Sequence, residues 1–220
     1  MLRNFVREFE NALSNHMCNS LVNWFESVPN ALPDDGPTGQ QKVIGGVQTV
    51  EVNRVTRNDK QLWLPEDSEF YKPLQKVKFK MLDEYLKEFP YAYRGNKKLI
   101  TPESKIQRTN PLGGGFHNFH SEVSNWEDCA RALVWTIYLN NIPEGEGETE
   151  FLYEKIRIQP RQGLGCVFPS AWMYQHRGNP IHTHSKYIAT GWYWFPEEYE
   201  GSPSRGFQIA PGRGNRLFAS

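Results

Sequence analysis

Between residues 14 and 29 the apolar side chains return every three to four positions. Cys18, Leu21, Val22 and Phe25 keep the i, i+3, i+4, i+7 spacing of one helix face. Ser14 stands where an N-cap belongs, and Pro29 helps to end the run. A second stripe, Leu74, Val77, Met81 and Tyr85, predicts a helix over about 68–88, with Pro73 in an early turn where it is tolerated. Residues 30–45, NALPDDGPTGQQKVIG, are rich in Pro, Gly and Asp and read as a mobile loop. From residue 104 the pattern changes. Short β-rich runs recur between turn residues: SKIQRT, GFHNFHSE, RALVWTIYLN, KIRIQ, GLGCVFP, WMYQHR and KYIATGWYWF. Several short strands at this spacing predict an all-β sandwich or barrel. The chain is therefore read as mainly β with supporting N-terminal helices. Residues 1–100 give helical support and a loop, 101–196 a β-barrel core whose one face the helices back, and 197–220 an irregular tail, all in one domain.

Composition narrows the function. The 220 residues suffice for one domain with a sizeable core. Lys plus Arg balances Asp plus Glu, 25 against 25, which leaves no electrostatic footprint for nucleic acid and argues against a membrane-surface protein. The opening MLRNFVREFENAL has charges at 3, 7, 8 and 10 and no long apolar run, so neither a signal peptide nor a membrane span is expected. Cys18, Cys129 and Cys166 are widely spaced and odd in number. They read as packing residues in a reducing cytoplasm rather than as disulfides or metal ligands.

The candidate chemistry lies in GGGFHNFHSE, residues 113–122. The three glycines resemble a phosphate-cradling loop, but no Lys-Ser or Lys-Thr follows and no helix begins, so a flexible turn is expected. On a strand, side chains two apart share a face, so His120 and Glu122 project together while His117 points away. One imidazole and one carboxylate need a third ligand from elsewhere, and His176, His182 and His184 are the candidates downstream. Two His and one carboxylate on one face of an octahedron leave three positions open, as non-haem Fe(II) oxygenases require. Lys186 opens the last long strand on a mostly apolar face with Ile188, Thr190, Trp192 and Trp194. A lysine there is costly unless it meets an anion.

These residues resemble the iron- and 2-oxoglutarate-dependent dioxygenases, and within them the prolyl 4-hydroxylase type. That family's pattern is His-x-Asp, a distal His, and a basic residue ten positions on; the chain reads His120-Ser121-Glu122, His176 and Lys186. Gly147-Glu148-Thr149 matches a turn of the family. Arg131 stands seven residues before Tyr138-Leu139, Trp192 six after Lys186, and NALSNHMCNSLVNWFE resembles the family's first helix. The likeness covers about residues 10–195 and is strongest over 113–195. It implies a double-stranded β-helix (jelly-roll, cupin-like) barrel, with His120, Glu122 and His176 on Fe(II). It further implies Lys186, Thr149 and Tyr138 on 2-oxoglutarate, Arg131 on the substrate, and Trp192 beside the reacting centre. His182 and His184 then become solvated turn residues. Fe(II), 2-oxoglutarate and O2 are the implied cofactors, with ascorbate as an accessory. The implied reaction hydroxylates a prolyl residue in a peptide or protein, with succinate and CO2 as co-products and the loop holding Arg54 and Arg57 closing over the substrate. The alternatives are the same chemistry on a free amino acid, another side chain or a nucleobase, and a non-catalytic β-barrel binding module. Two positions depart from the family. Glu122 replaces the usual Asp, and His117 stands where the peptide-hydroxylating members carry Tyr. Neither the target's sequence context nor an oligomeric state is readable from the chain.

Overall fold

The computed structural model describes residues 4–28, 41–44, 47–50, 59–196, 207–209 and 216–218. Helix α1 (Asn15–Ser27) starts where the pattern predicts, and the Ser14 hydroxyl accepts a hydrogen bond from the Met17 amide at 3.3 Å. Such a cap stabilises a helix by about 1 kcal/mol. Helix α2 (Tyr71–Glu88) begins three residues later than predicted and buries Leu74, Met81 and Tyr85 as expected. It also buries Lys78 completely, a charge that the apolar stripe does not reveal.

The strands are β1 (Arg7–Phe9), β2 (Gln41–Ile44), β3 (Val47–Val50), β4 (Lys60–Trp63), β5 (Lys105–Thr109), β6 (Arg131–Tyr138), β7 (Thr149–Phe151), β8 (Ile156–Ile158), β9 (Gly165–Pro169), β10 (His176–Gly178), β11 (Lys186–Trp194), β12 (Phe207–Ile209) and β13 (Arg216–Phe218). An antiparallel six-stranded sheet runs in the order β1-β9-β6-β11-β5-β4, and a three-stranded sheet in the order β10-β7-β8. The pairs β2–β3 and β12–β13 stand apart from both. The large sheet sorts its side chains by alternation. Tyr187, Ala189 and Tyr193 of β11, Leu133, Trp135 and Ile137 of β6, and Val167 of β9 join Leu21, Phe25, Leu74 and Met81 in an outer core against the helices. Ile188, Trp192 and Trp194, with Val134, Tyr138, Cys166 and Phe168, turn the other way and meet Phe151, Ile156 and Ile158 of the small sheet. Each large side chain buried this way contributes about 2–3 kcal/mol. Helices on one face and a second sheet on the other make the barrel a double-stranded β-helix, as the resemblance implies.

Several local expectations change. GFHNFHSE is not a continuous strand: it meets β10 at separate points, a bridge between His120 and His176 and a hydrogen bond from the Gly178 amide to the Phe116 carbonyl at 3.0 Å. The cause is the turn before it, where Leu112, Gly113 and Gly115 take positive φ angles of 57°, 125° and 146° that a strand cannot absorb. His176 opens β10 rather than ending a strand, because Trp172–Tyr174 form a 3-10 turn ahead of it. Strand β1 has no alternation long enough to be read, yet it pairs with β9 through Arg7–Val167 and Phe9–Gly165. In the predicted tail, β12 and β13 pair with each other. Within the predicted loop, Gln41–Ile44 pair with Val47–Val50. Arg54, Arg57 and the rest of the loop and tail lie outside the described residues. No helix among the described residues is long and apolar enough to cross a membrane.

Candidate active site

Three side chains far apart in sequence meet at the edge of the small sheet. The backbones of His120 and His176 exchange two hydrogen bonds, His120 N to His176 O at 3.0 Å and the reverse at 2.9 Å. A non-continuous loop is thereby stitched to β10, and the imidazole rings lie with centroids 4.4 Å apart. Glu122 Oε1 lies 3.6 Å from His120 Nε2 and 3.5 Å from His176 Nε2. One donor atom from each residue falls within 4.8 Å of the other two.

The orientation of the rings is set by backbone carbonyls. His120 Nδ1 lies 3.0 Å from the Asn118 carbonyl, and His176 Nδ1 lies 3.0 Å from the Tyr174 carbonyl. A neutral ring that donates through Nδ1 keeps a free lone pair on Nε2, which is the tautomer a metal ligand needs. The Phe116 ring packs 3.8 Å from the His120 ring, and Phe168 and Phe151 lie 4.9 and 5.6 Å from the His176 ring, which excludes water from that side. Burial pushes the Glu122 carboxyl up, but hydrogen bonds and charge from His120 and His176 outweigh it and hold the group well below the usual carboxylate range. Burial pushes His120 down, partly offset by Glu122. The ionised carboxylate and two directed lone pairs fit a divalent cation.

Trp192 and Arg131 brace the carboxylate. Trp192 Nε1 donates to Glu122 Oε2 at 2.9 Å. The Arg131 Nη1 group donates to the Glu122 backbone carbonyl at 2.9 Å, and its guanidinium lies 3.9 Å from the Trp192 ring centre. Asp128 in turn pairs with Arg131 at 3.1 Å. Glu122 is one methylene longer than the family's Asp, and this bracing removes the freedom the extra carbon would otherwise give.

A second polar centre lies along β10. Gly178, two residues after His176, pairs with Thr149 of β7. Two residues of strand cover roughly 7 Å. A Cβ built on Gly178 would come within 3.6 Å of Lys186 Nζ, so the ammonium sits about that far along from the histidine. Lys186 is buried, and its Nζ donates to the Gly147 carbonyl at 2.8 Å. Burial pushes its pKa down to about 8, against the opposing charges of Glu148 and Asp59. An ammonium has three donors, and one of Lys186's is engaged with a protein acceptor. Tyr138 donates its hydroxyl to Thr149 Oγ1 at 2.7 Å. Burial pushes the Tyr138 phenol up, so it remains a neutral donor. Lys186, Thr149 and Tyr138 thus gather at one place.

His182 and His184 are exposed in the turn before β11 and take no part. His117 departs from the strand expectation: its Nδ1 reaches the Gly178 carbonyl at 3.1 Å, because the loop curls after the glycines. The carbonyls of Asn118 and Tyr174 carry no side-chain signal, so a sequence pattern does not find them.

The comparisons with known proteins agree with this geometry. Residues 104–194 match the model of the 2OG-Fe(II) oxygenase superfamily. That span contains every residue of the two centres. It is a 2OG-Fe(II) oxygenase domain. The barrel is therefore that of a 2-oxoglutarate-dependent dioxygenase. The oxygenase resembles, in fold, a viral collagen prolyl hydroxylase from Paramecium Bursaria Chlorella virus-1 in complex with 2OG, at 18% identity and a TM-score of 0.62 over 88% of this chain and 97% of that one. It also resembles a Pseudomonas putida prolyl-4-hydroxylase, at 15% identity and a TM-score of 0.64 over 88% and 94% of the two chains. A third such structure is a Trichoplax adhaerens prolyl hydroxylase in complex with a hypoxia inducible factor oxygen degradation domain peptide fragment, at 19% identity and a TM-score of 0.64 over 87% and 84%. No protein of curated function matches the sequence.

Proposed function

We propose that the oxygenase hydroxylates a prolyl residue in an extended peptide or protein segment. The observation that carries the reading is the pairing of two centres, a His-Glu-His triad and a buried lysine a short diacid's length away along β10. The prolyl hydroxylase folds it resembles, one of them holding a peptide, support a polypeptide substrate. A proline-containing segment is already extended, so an aromatic-lined mouth binds it at little entropic cost.

His120, Glu122 and His176 would hold Fe(II). Bound there with 2-oxoglutarate and O2, the metal supplies the oxidant that places one oxygen atom in a C–H bond, with succinate and CO2 as co-products and ascorbate keeping the iron reduced. The protein's own part is positioning. The Asn118 and Tyr174 carbonyls hold both imidazoles in the ligating tautomer. Trp192 engages Glu122 Oε2 and so leaves Oε1 facing the two Nε2 atoms. Lys186 receives the far carboxylate of 2-oxoglutarate in a charge-assisted bond strengthened by burial, and Thr149, whose oxygen already accepts from Tyr138, donates its own proton to the same group. Arg131 contacts the substrate from its place beside Trp192. His117 borders the co-substrate end through Gly178.

A panel of proline-containing peptides, read by mass spectrometry for the gain of one oxygen atom, tests the reading. Hydroxylation confined to proline and dependent on Fe(II) and 2-oxoglutarate is the expected result. Oxygen on another residue, or on free amino acids alone, overturns it.

A further inference from the structure

We propose that Tyr153 and Trp172 form an exposed slot at the metal end of the barrel, which takes a second proline of the polypeptide substrate a few residues from the one hydroxylated. The inference rests on the prolyl reading above and adds a specificity site to it. Phe151, the last residue of β7, pairs with His176, the first of β10, whereas Thr149 pairs with Gly178 at the Lys186 end. The turn after Phe151 and the turn before His176 therefore leave the small sheet together, at the triad. The Leu152 amide donates to the Gln175 carbonyl at 2.9 Å and holds these turns side by side. The Val123 amide, next to Glu122, donates at 3.2 Å to the carbonyl of Ser170, two residues before Trp172. The two turns carry four large apolar side chains in the open: Leu152 is 40% exposed, Tyr153 59%, Trp172 65% and Met173 44%. Apolar groups gathered in solvent beside a reacting centre mark a contact surface.

The two rings fix the kind of partner. Their centroids lie 6.4 Å apart and their planes stand at 80°, so they form two walls of a corner. A pyrrolidine ring is compact and apolar, and aromatic walls of this kind are what proline-rich segments dock against. Among the described residues no protein acceptor takes the Tyr153 hydroxyl or the Trp172 indole N–H. A polyproline II segment makes no internal hydrogen bonds and presents carbonyl oxygens, the acceptors those donors lack. Trp172 stands four residues before His176, and Tyr153 two after His176's partner Phe151. At strand spacing that is roughly 7–13 Å from the triad. Polyproline II rises about 3.1 Å per residue, so the second proline lies about two to four residues from the target.

The test uses the full chain loaded with Fe(II) and 2-oxoglutarate. The probes are Ala/Gln peptides with one proline, or with two prolines at a separation varied across the series. Wild type is expected to show its lowest KM at one separation of about two to four residues. That KM should lie about tenfold below the single-proline value, with kcat nearly the same. Trp172→Ala and Tyr153→Ala should each remove most of the advantage, and Trp172→Phe should keep part of it. Turnover of the single-proline peptide, which does not reach the slot, should stay near wild type and shows that the variants fold. Anisotropy of the fluorescein-labelled two-proline peptide without O2 reads the same loss as affinity, free of turnover. An advantage that survives both alanine variants, or no advantage at any separation, overturns the inference alone. So does a wild-type dimer in sedimentation that Trp172→Ala turns into a monomer with unchanged peptide affinity, which makes the patch an interface between copies of the chain. If 2-oxoglutarate is consumed but no peptide of the series is hydroxylated, the prolyl reading fails, and the inference fails with it.

Discussion

Two buried lysines face opposite sides of the same large sheet. Lys78, on the helix side, donates to the Thr101 carbonyl at 2.9 Å, the Glu103 carbonyl at 3.3 Å and Ser104 Oγ at 2.9 Å. Lys186, between the sheets, donates to the Gly147 carbonyl. Both are buried, and both have their pKa pushed down by burial, to about 7 and about 8. Lys78 has three acceptors for three donors. It fastens α2 to the segment that leads into β5, and it asks nothing of a ligand. Lys186 retains donor capacity in a polar recess beside Thr149 and Tyr138. A charge kept in the interior with its hydrogen bonds filled serves the fold, and one with donors to spare marks a binding site.

The largest expected effect tests the centre that Lys186 serves. His176→Ala should reduce Fe(II)-dependent succinate formation to background and abolish tight divalent-metal binding in a calorimetric titration. Retained metal affinity would break the assignment of the triad.

Lys186→Ala should raise the 2-oxoglutarate concentration needed for half-maximal turnover about 100-fold, the scale for losing one partner of a buried charge pair. Mn(II) affinity should change far less. Equal losses of both would place Lys186 in the metal site and dissolve the contrast between the two centres.

Lys78→Met should do the reverse. It leaves the Ser104 hydroxyl without its Lys78 donor and the Thr101 carbonyl with Gln75 Nε2 alone at 2.9 Å, and should destabilise the protein by about 2–4 kcal/mol in urea unfolding. The half-saturation for 2-oxoglutarate should stay near wild type. Lys186→Met, which removes an incompletely bonded ammonium, should leave the metal-free protein as stable as wild type or more so. The same sign for both variants would end the distinction.

The smallest effects are in pH. Both lysines have folded pKa values below the unfolded value of about 10.4. Above pH 7 to 8 the unfolded chain therefore binds more protons at these groups than the folded one, and their contribution to stability rises with pH up to about 10. The gap in melting temperature between wild type and Lys78→Met should widen between pH 7 and 9.5. Binding of 2-oxoglutarate has the opposite sign. It needs the Lys186 ammonium, so affinity should weaken as pH rises past about 8, and this slope should vanish in Lys186→Ala.

How far the site was legible in the chain depends on the kind of signal. His120, Glu122, His176 and Lys186 could be picked out because their spacing resembles that of a known family, and the local pattern alone left three histidines open as the third ligand. Thr149 and Tyr138 came from the same likeness, and the structure joins them by a hydrogen bond. The roles of Trp192 and Arg131 as braces of Glu122 were not legible, since they depend on contacts across 70 and 9 residues of chain. Lys78 was missed because a single charge within a helical stripe looks like a solvated position. His117 was misplaced because alternation holds only while a strand is continuous, and the preceding turn breaks it.

By itself the sequence determined the two helices, most strands of the barrel and the residue types available for chemistry, because these follow from periodicity and capping, which act within a few residues. The tertiary structure decided which histidine closes the triad, which imidazole nitrogens face inward, and which buried donors remain unfilled. Those outcomes depend on directions set by backbone carbonyls and rings from distant strands, and a one-dimensional pattern carries no direction in space.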